Sequence, residues 1–221
     1  MTRERVAIAL PTGVLLPGAL RILSRSGVAR LSATELGRKL LLERPAVRVI
    51  LVRPADVPAY VDHGAADLGV VGKDVLWESP GAHYELVDLR FGRCRLVLAV
   101  PAASKLSGRE TWPPLLRVAT KYPRTTAEWF QAQGQAVEVV RLHGSVELAP
   151  QVGLVDGIVD LTASGRTLRE NDLRVVALLG TSTARLIANQ ASLKTRTASV
   201  QSMVARLRKA ADQPAAISKA S

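Results

Sequence analysis

The segment Asp160-Leu161-Thr162-Ala163-Ser164-Gly165-Arg166-Thr167 has the residue types and spacing to hold a phosphorylated sugar. It follows the apolar run Val155-Asp156-Gly157-Ile158-Val159, so a strand ends on a carboxylate and a tight loop of Ser, Gly and Thr opens a helical turn. Such a loop presents consecutive backbone N–H groups, hydroxyls and the positive end of a helix to an anion. Asp160 suits a different group: a carboxylate repels phosphate but accepts two hydrogen bonds from a vicinal diol. One loop can therefore take both ends of a ribose 5-phosphate. The same residue types also make an ordinary polar turn between a strand and a helix, so the loop alone leaves both readings open.

The elements that must carry this loop are legible from periodicity. Apolar runs of strand length at 6–10, 47–52, 68–71, 95–100, 136–140, 155–161 and 174–179 alternate with helix-like stretches, which predicts an α/β protein. Asp56 is placed to cap a helix that Gly64 ends, and Thr125 with Glu128 has the spacing of a capping box for a helix ending near Gly134. Val200, Met203, Val204 and Leu207 recur at helical spacing, so 197–209 is expected to pack one face. Pro101 to Pro114, with Ser104, Lys105, Ser107 and Gly108, reads as irregular.

Composition narrows the function. The 221 residues are 48% hydrophobic, enough for one large or two small cores. No apolar run approaches the roughly 20 residues that cross a bilayer, and the start shows no charged-then-apolar leader, so a cytoplasmic protein without a membrane partner is expected. Cys94 lies in a predicted strand and reads as a small buried hydrophobe. His63, His83 and His143 lack ligand spacing, and no metal site is expected. The net charge of +11 attracts polyanions. With 4% aromatic residues and no basic run, however, the chain has no stacking platform for nucleic acid, and polyphosphate substrates fit better.

The stretch Glu147-Leu148-Ala149-Pro150-Gln151-Val152-Gly153, leading to Asp160 and then Ser164-Gly165-Arg166-Thr167-Leu168, resembles the signature of ATP phosphoribosyltransferase. Val6-Ala7-Ile8-Ala9-Leu10-Pro11, Arg53 to Val61, Gly64 to Asp74, Arg93-Cys94-Arg95-Leu96 and Ala119-Thr120-Lys121-Tyr122-Pro123 resemble other blocks of that family, in order, to about residue 210. The resemblance implies two α/β domains of the periplasmic-binding-protein type II kind, 1–92 plus 176–221 and 93–175, with a ligand cleft between them. It implies condensation of ATP with 5-phosphoribosyl 1-pyrophosphate, with substrate-chelated Mg²⁺. The chain resembles the short form, which lacks a regulatory domain. A homodimer within a hetero-oligomer is implied, with a separate regulatory subunit similar to histidyl-tRNA synthetase.

Site residues follow from the same resemblance. Arg38, in Gly37-Arg38-Lys39-Leu40, matches a segment whose arginine reaches a neighbouring subunit's active site and is the implied catalytic cation. Asp160, Thr162, Ser164, Gly165, Arg166, Thr167 and Glu147 are implied at the phosphoribosyl end, and Arg53, Gly72, Lys73 and Lys121 towards ATP. The chain departs from the family where Thr12-Gly13-Val14 replaces Lys-Gly-Arg and where Ala163 replaces a common Glu. These losses keep open a noncatalytic binding subunit with the same fold.

Overall fold

The computed structural model describes residues 5–37 and 39–213. In chain order the first part holds β1 (Val6–Pro11), α1 (Leu16–Arg25), α2 (Ala33–Leu36), β2 (Leu41–Glu43) and β3 (Val47–Val52). It continues with α3 (Val57–Asp62), β4 (Leu68–Gly72), α4 (Lys73–Glu78) and β5 (Tyr84–Asp88). The middle part holds β6 (Cys94–Pro101), β7 (Leu115–Thr120), α5 (Pro123–Ala132), β8 (Ala136–Arg141), β9 (Gly157–Thr162), α6 (Arg166–Glu170) and β10 (Leu173–Ser182). The chain ends with β11 (Ala184–Ala188), α7 (Gln190–Thr195) and α8 (Thr197–Asp212). Contacts divide it into two units, 1–92 with 183–221, and 93–182.

The first unit is a six-stranded sheet in the order β2-β3-β1-β4-β11-β5. β1 runs parallel to both β3 and β4, while β11 runs antiparallel to β4 and β5. Helices cover both faces, which explains why these strands read as nearly unbroken apolar runs. Ile8, Leu10 and Val49 pack with Ile22 and Leu23 of α1 and with Val200, Met203, Val204 and Leu207 of α8. Ala9, Val52 and Ile187 pack with Val57 and Val61 of α3. The helical stripe expected at 197–209 thus closes the core.

A buried carboxylate ties the returning segment down. Asp67, before β4, accepts from the Ala7 N–H (2.7 Å), from the Ser192 hydroxyl (2.7 Å) and, on both its oxygens, from the Arg196 guanidinium at 2.7–2.9 Å. Removing one partner of such a pair costs about 3–5 kcal/mol, because the other stays uncompensated. Asp67→Asn is therefore expected to lower unfolding free energy by about 3 kcal/mol, read as a lower urea midpoint.

The second unit is a five-stranded sheet in the order β10-β6-β9-β7-β8. β7 is parallel to β8 and β9, and β6 is antiparallel to β9 and β10. The expected return near 175 differs from the observed one. β10 carries on through two bulges, pairing with β6 from Leu173↔Pro101 to Ser182↔Cys94, so the return falls at Thr183.

Three local expectations are corrected. Asp56 sits at the N-cap of α3 but makes no side-chain capping bond there. α5 starts at Pro123, whose fixed φ suits a first helical position, so Thr125 lies inside the first turn and Glu128 pairs with Arg124 (2.9 Å). Cys94 opens β6 and is half-buried. No helix among the described residues is long and apolar enough to cross a membrane.

Candidate functional site

In the second unit, parallel strands β7 and β9 end side by side, and the chemistry gathers at that edge, where open α/β sheets receive ligands. Thr120, fully buried at the end of β7, donates its hydroxyl to the Val159 carbonyl (2.7 Å) and accepts from the Tyr122 N–H (2.9 Å). These bonds fix the turn carrying Lys121 beside β9. Lys121 Nζ lies 4.0 Å from Asp160 Oδ2, and Asp160 Oδ1 accepts from the Leu161 N–H at 2.8 Å. The Asp160 side chain is 21% exposed. Burial pushes its carboxyl above the usual range; Lys121 and the Leu161 N–H oppose this, and Glu147 adds to it.

Glu147 reaches this region on a single 3-10 turn, Val146–Leu148, anchored by buried Val146 and Ala149. The chain enters the turn through Ser145 at φ 46°, a left-handed conformation unusual for a residue with a side chain.

The loop after β9 is held by its own side chains. Thr162, buried, accepts the Gly165 N–H at 2.9 Å, and Ser164 Oγ accepts the Arg166 N–H at 3.4 Å. Gly165 has φ 75°, and an added Cβ there would lie 3.1 Å from Arg169 Nη1. Arg169 donates to the Ser164 carbonyl (3.1 Å) and Asn171 to the Thr167 carbonyl (2.9 Å). The Ser164 and Thr167 side chains are exposed. Thr162 therefore shapes the loop, while Ser164 and Thr167 present hydroxyls. Arg166, largely exposed, pairs with Glu170 one helical turn on (2.7 Å). α6 has five residues, too few to add a strong helix dipole.

In the first unit, adjacent parallel strands β1, β3 and β4 place Thr12, Arg53 and Lys73 at one sheet edge, with the Thr12 N–H bonded to the Val52 carbonyl (2.8 Å). Arg53 is exposed, and Val14, on the turn after β1, is 93% exposed. Gly72 leaves no room for a Cβ beside Asp74 Oδ1. Arg38 lies outside the described residues.

Sequence reasoning missed the partners of Lys73. Its ammonium pairs with Glu85, whose other oxygen is 3.5 Å from Arg185 Nε, and Arg185 also pairs with Asp88 at 2.9 Å. The β-prone Tyr84 and Val87 in Tyr84-Glu85-Leu86-Val87-Asp88 were the available signal for a strand there. Among the described residues no three His, Cys, Asp or Glu side chains come together as a metal cage.

Over residues 53–209 the chain matches the HisG family, ATP phosphoribosyltransferase. A curated ATP phosphoribosyltransferase from Symbiobacterium thermophilum is 50% identical over 210 residues, 92% of this chain and 93% of the relative. Among solved structures, the ATP phosphoribosyl transferase (HisG:HisZ) complex from Thermotoga maritima matches with a TM-score of 0.78 at 34% identity, covering 93% of this chain and 98% of that one. The periplasmic aliphatic sulphonate binding protein SsuA from Escherichia coli is 14% identical with a TM-score of 0.60, covering 94% of this chain and 68% of that one. That likeness is one of fold, the periplasmic-binding-protein architecture.

Proposed function

The chain belongs to the ATP phosphoribosyltransferase family, and from that premise we propose how its own residues carry the reaction. The enzyme joins N1 of the ATP adenine to C1 of 5-phosphoribosyl 1-pyrophosphate, the first step of histidine biosynthesis. The N1 lone pair forms the new bond while the C1–O bond breaks, its electron pair leaving with pyrophosphate. Positive charge grows on the ribose and negative charge on the leaving group, so the protein mainly positions and neutralises.

The observation that carries the residue assignment is a carboxylate at the end of β9 next to a loop whose turn is held by Thr162 and Gly165. In this reading Asp160 accepts hydrogen bonds from the ribose diol, with Glu147 alongside. The backbone of 164–167 and the hydroxyls of Ser164 and Thr167 take the 5-phosphate. Arg53 and Lys73, at the other unit's sheet edge beside Gly72, meet nucleotide phosphates, and Arg38 is the catalytic cation shared between subunits. Arginine suits that role because its planar fork grips two oxygens and keeps its charge.

The reaction needs a divalent metal, which we assign as Mg²⁺ carried on the substrate phosphates. A histidyl-tRNA-synthetase-like regulatory subunit, a homodimer within a hetero-oligomer and a cytoplasmic location complete the proposal; the Thermotoga maritima HisG:HisZ complex supports the partner.

The test is absorbance of phosphoribosyl-ATP formed by the purified chain from ATP, phosphoribosyl pyrophosphate and Mg²⁺, with pyrophosphatase, with and without the regulatory subunit. Product is expected. Total absence of product, with phosphoribosyl pyrophosphate still bound, would leave a binding subunit instead. Restoring the two missing cations as Thr12→Lys with Val14→Arg is expected to change kcat/KM by less than about tenfold, since each 1.4 kcal/mol is tenfold and Arg53 and Lys73 already occupy that edge. A rise of several orders of magnitude would mean that these arginine and lysine side chains do not compensate.

A further inference from the structure

We propose that Lys121 is a positioning residue that acts through Asp160, holding the carboxylate as a charged acceptor for the ribose diol rather than binding ATP itself. The proposal rests on the reading that Asp160 takes that diol. Its ground is geometric. Parallel strand β7 stops opposite Val159, one residue short of Asp160, and the buried Thr120 hydroxyl, bonded to the Val159 carbonyl and the Tyr122 N–H, locks the Lys121 turn against β9. Lys121 Nζ then stands 4.0 Å from Asp160 Oδ2. A carboxylate that buries most of its surface needs such a cation, because burial favours its neutral form. A protonated Asp160 would offer a donor where the diol also needs acceptors.

Other charged groups lie on the elements around Asp160. On α6, Arg166 pairs with Glu170 and Arg169 with the Ser164 carbonyl. On β6, Val97 stands opposite Asp160 and Arg95 opposite Thr162. From the 3-10 turn, Glu147 works against ionisation. Lys121 is the cation whose charge opposes both burial and Glu147 at this carboxyl. Asp160 ionises under the opposing charges of Lys121 and Glu147, and its ionisation sets the acid limb of the enzyme's pH profile.

The signs follow from the charges. Losing Lys121 raises the pH at which Asp160 ionises, and losing the Glu147 charge lowers it. The experiment is the pH profile of kcat/KM for phosphoribosyl pyrophosphate in wild type, Lys121→Met, Lys121→Arg and Glu147→Gln. Titration of the substrate's own phosphates is common to all four and cancels in the comparison. For Lys121→Met, kcat/KM is expected to fall at most several-fold at about pH 8 and on the order of tenfold further at about pH 5.5. Lys121→Arg should restore the wild-type limb, and Glu147→Gln should move it to lower pH whatever its overall activity.

A uniform loss at every pH in Lys121→Met, or no loss at all, would overturn the proposal. The first result would make Lys121 a direct substrate contact or a support of the fold, separated by whether its thermal midpoint falls. Asp160→Asn tests the underlying reading independently. If that variant binds phosphoribosyl pyrophosphate normally, the diol assignment fails. If it loses both binding and the acid limb while Lys121→Met leaves the limb in place, only the role of Lys121 fails.

Discussion

Asp160→Asn is expected to lower kcat/KM by about 10²–10³-fold and, at neutral pH, to make the ligand-free protein more stable. The catalytic loss follows from replacing two charge-assisted hydrogen bonds to a diol with one neutral acceptor and a misplaced donor. Hydrogen bonds to charged groups are worth about 1.5–3 kcal/mol each, so a loss of about 3–4 kcal/mol is two to three decades in rate. The gain in stability has the opposite origin. Burial raises the Asp160 carboxyl above its ordinary value, so over the range between the unfolded and folded values the native state holds a proton that the unfolded state releases. Stability therefore falls as pH rises through that range, and the ionised side chain is a standing cost above it. Asparagine has no charge to bury. Its urea midpoint should exceed that of wild type at neutral pH and match it once the medium is acidic enough to protonate aspartate in both states. A variant that lost activity and stability together would show that Asp160 supports the fold instead.

The second large effect is expected at Gly165. Its φ of 75° admits glycine without strain, and its N–H is the donor that Thr162 uses to close the turn. Valine there is β-branched, and left-handed backbone costs such a residue about 1–3 kcal/mol. Its first side-chain carbon would also crowd Arg169, which holds the Ser164 carbonyl. Gly165→Val should therefore splay the backbone that receives the 5-phosphate and weaken binding of ribose 5-phosphate and phosphoribosyl pyrophosphate alike by about 10²-fold, from about 3 kcal/mol. ATP binding, measured calorimetrically, should stay within about twofold, because the change is local to one turn. Equal losses for all three ligands would mean that the unit had unfolded.

The strands that sequence made plain are those buried on both faces, where apolar residues run without interruption, as in Leu68 to Val71 and Leu96 to Val100. The ones it hid lack that signal. β5 carries Glu85 and Asp88 at the sheet edge, β7 follows Pro113-Pro114 and contains Arg117, and β11 is short with small residues at both ends. The turn after β9 was legible because its residues are consecutive. The pairing of Lys121 with Asp160 was not, because only the adjacency of β7 and β9 brings the two together. Arg166 illustrates a third limit. Its loop position suggested an anion contact, while its pairing with Glu170 depends on the short helix that follows.

The placement of β11 between β4 and β5 has a consequence for synthesis. The first unit cannot finish its sheet from its own first 92 residues, because the strand that separates β4 from β5, and the helix whose Val200, Met203 and Leu207 seal the core, are made last. The second unit, by contrast, is one uninterrupted stretch and is complete as soon as Ser182 has been translated. At elongation rates of about 5–20 residues per second, the half-built sheet must wait for several seconds while the whole of the other unit emerges. The nascent chain is therefore expected to fold from its middle outward, with its earliest residues depending on its latest.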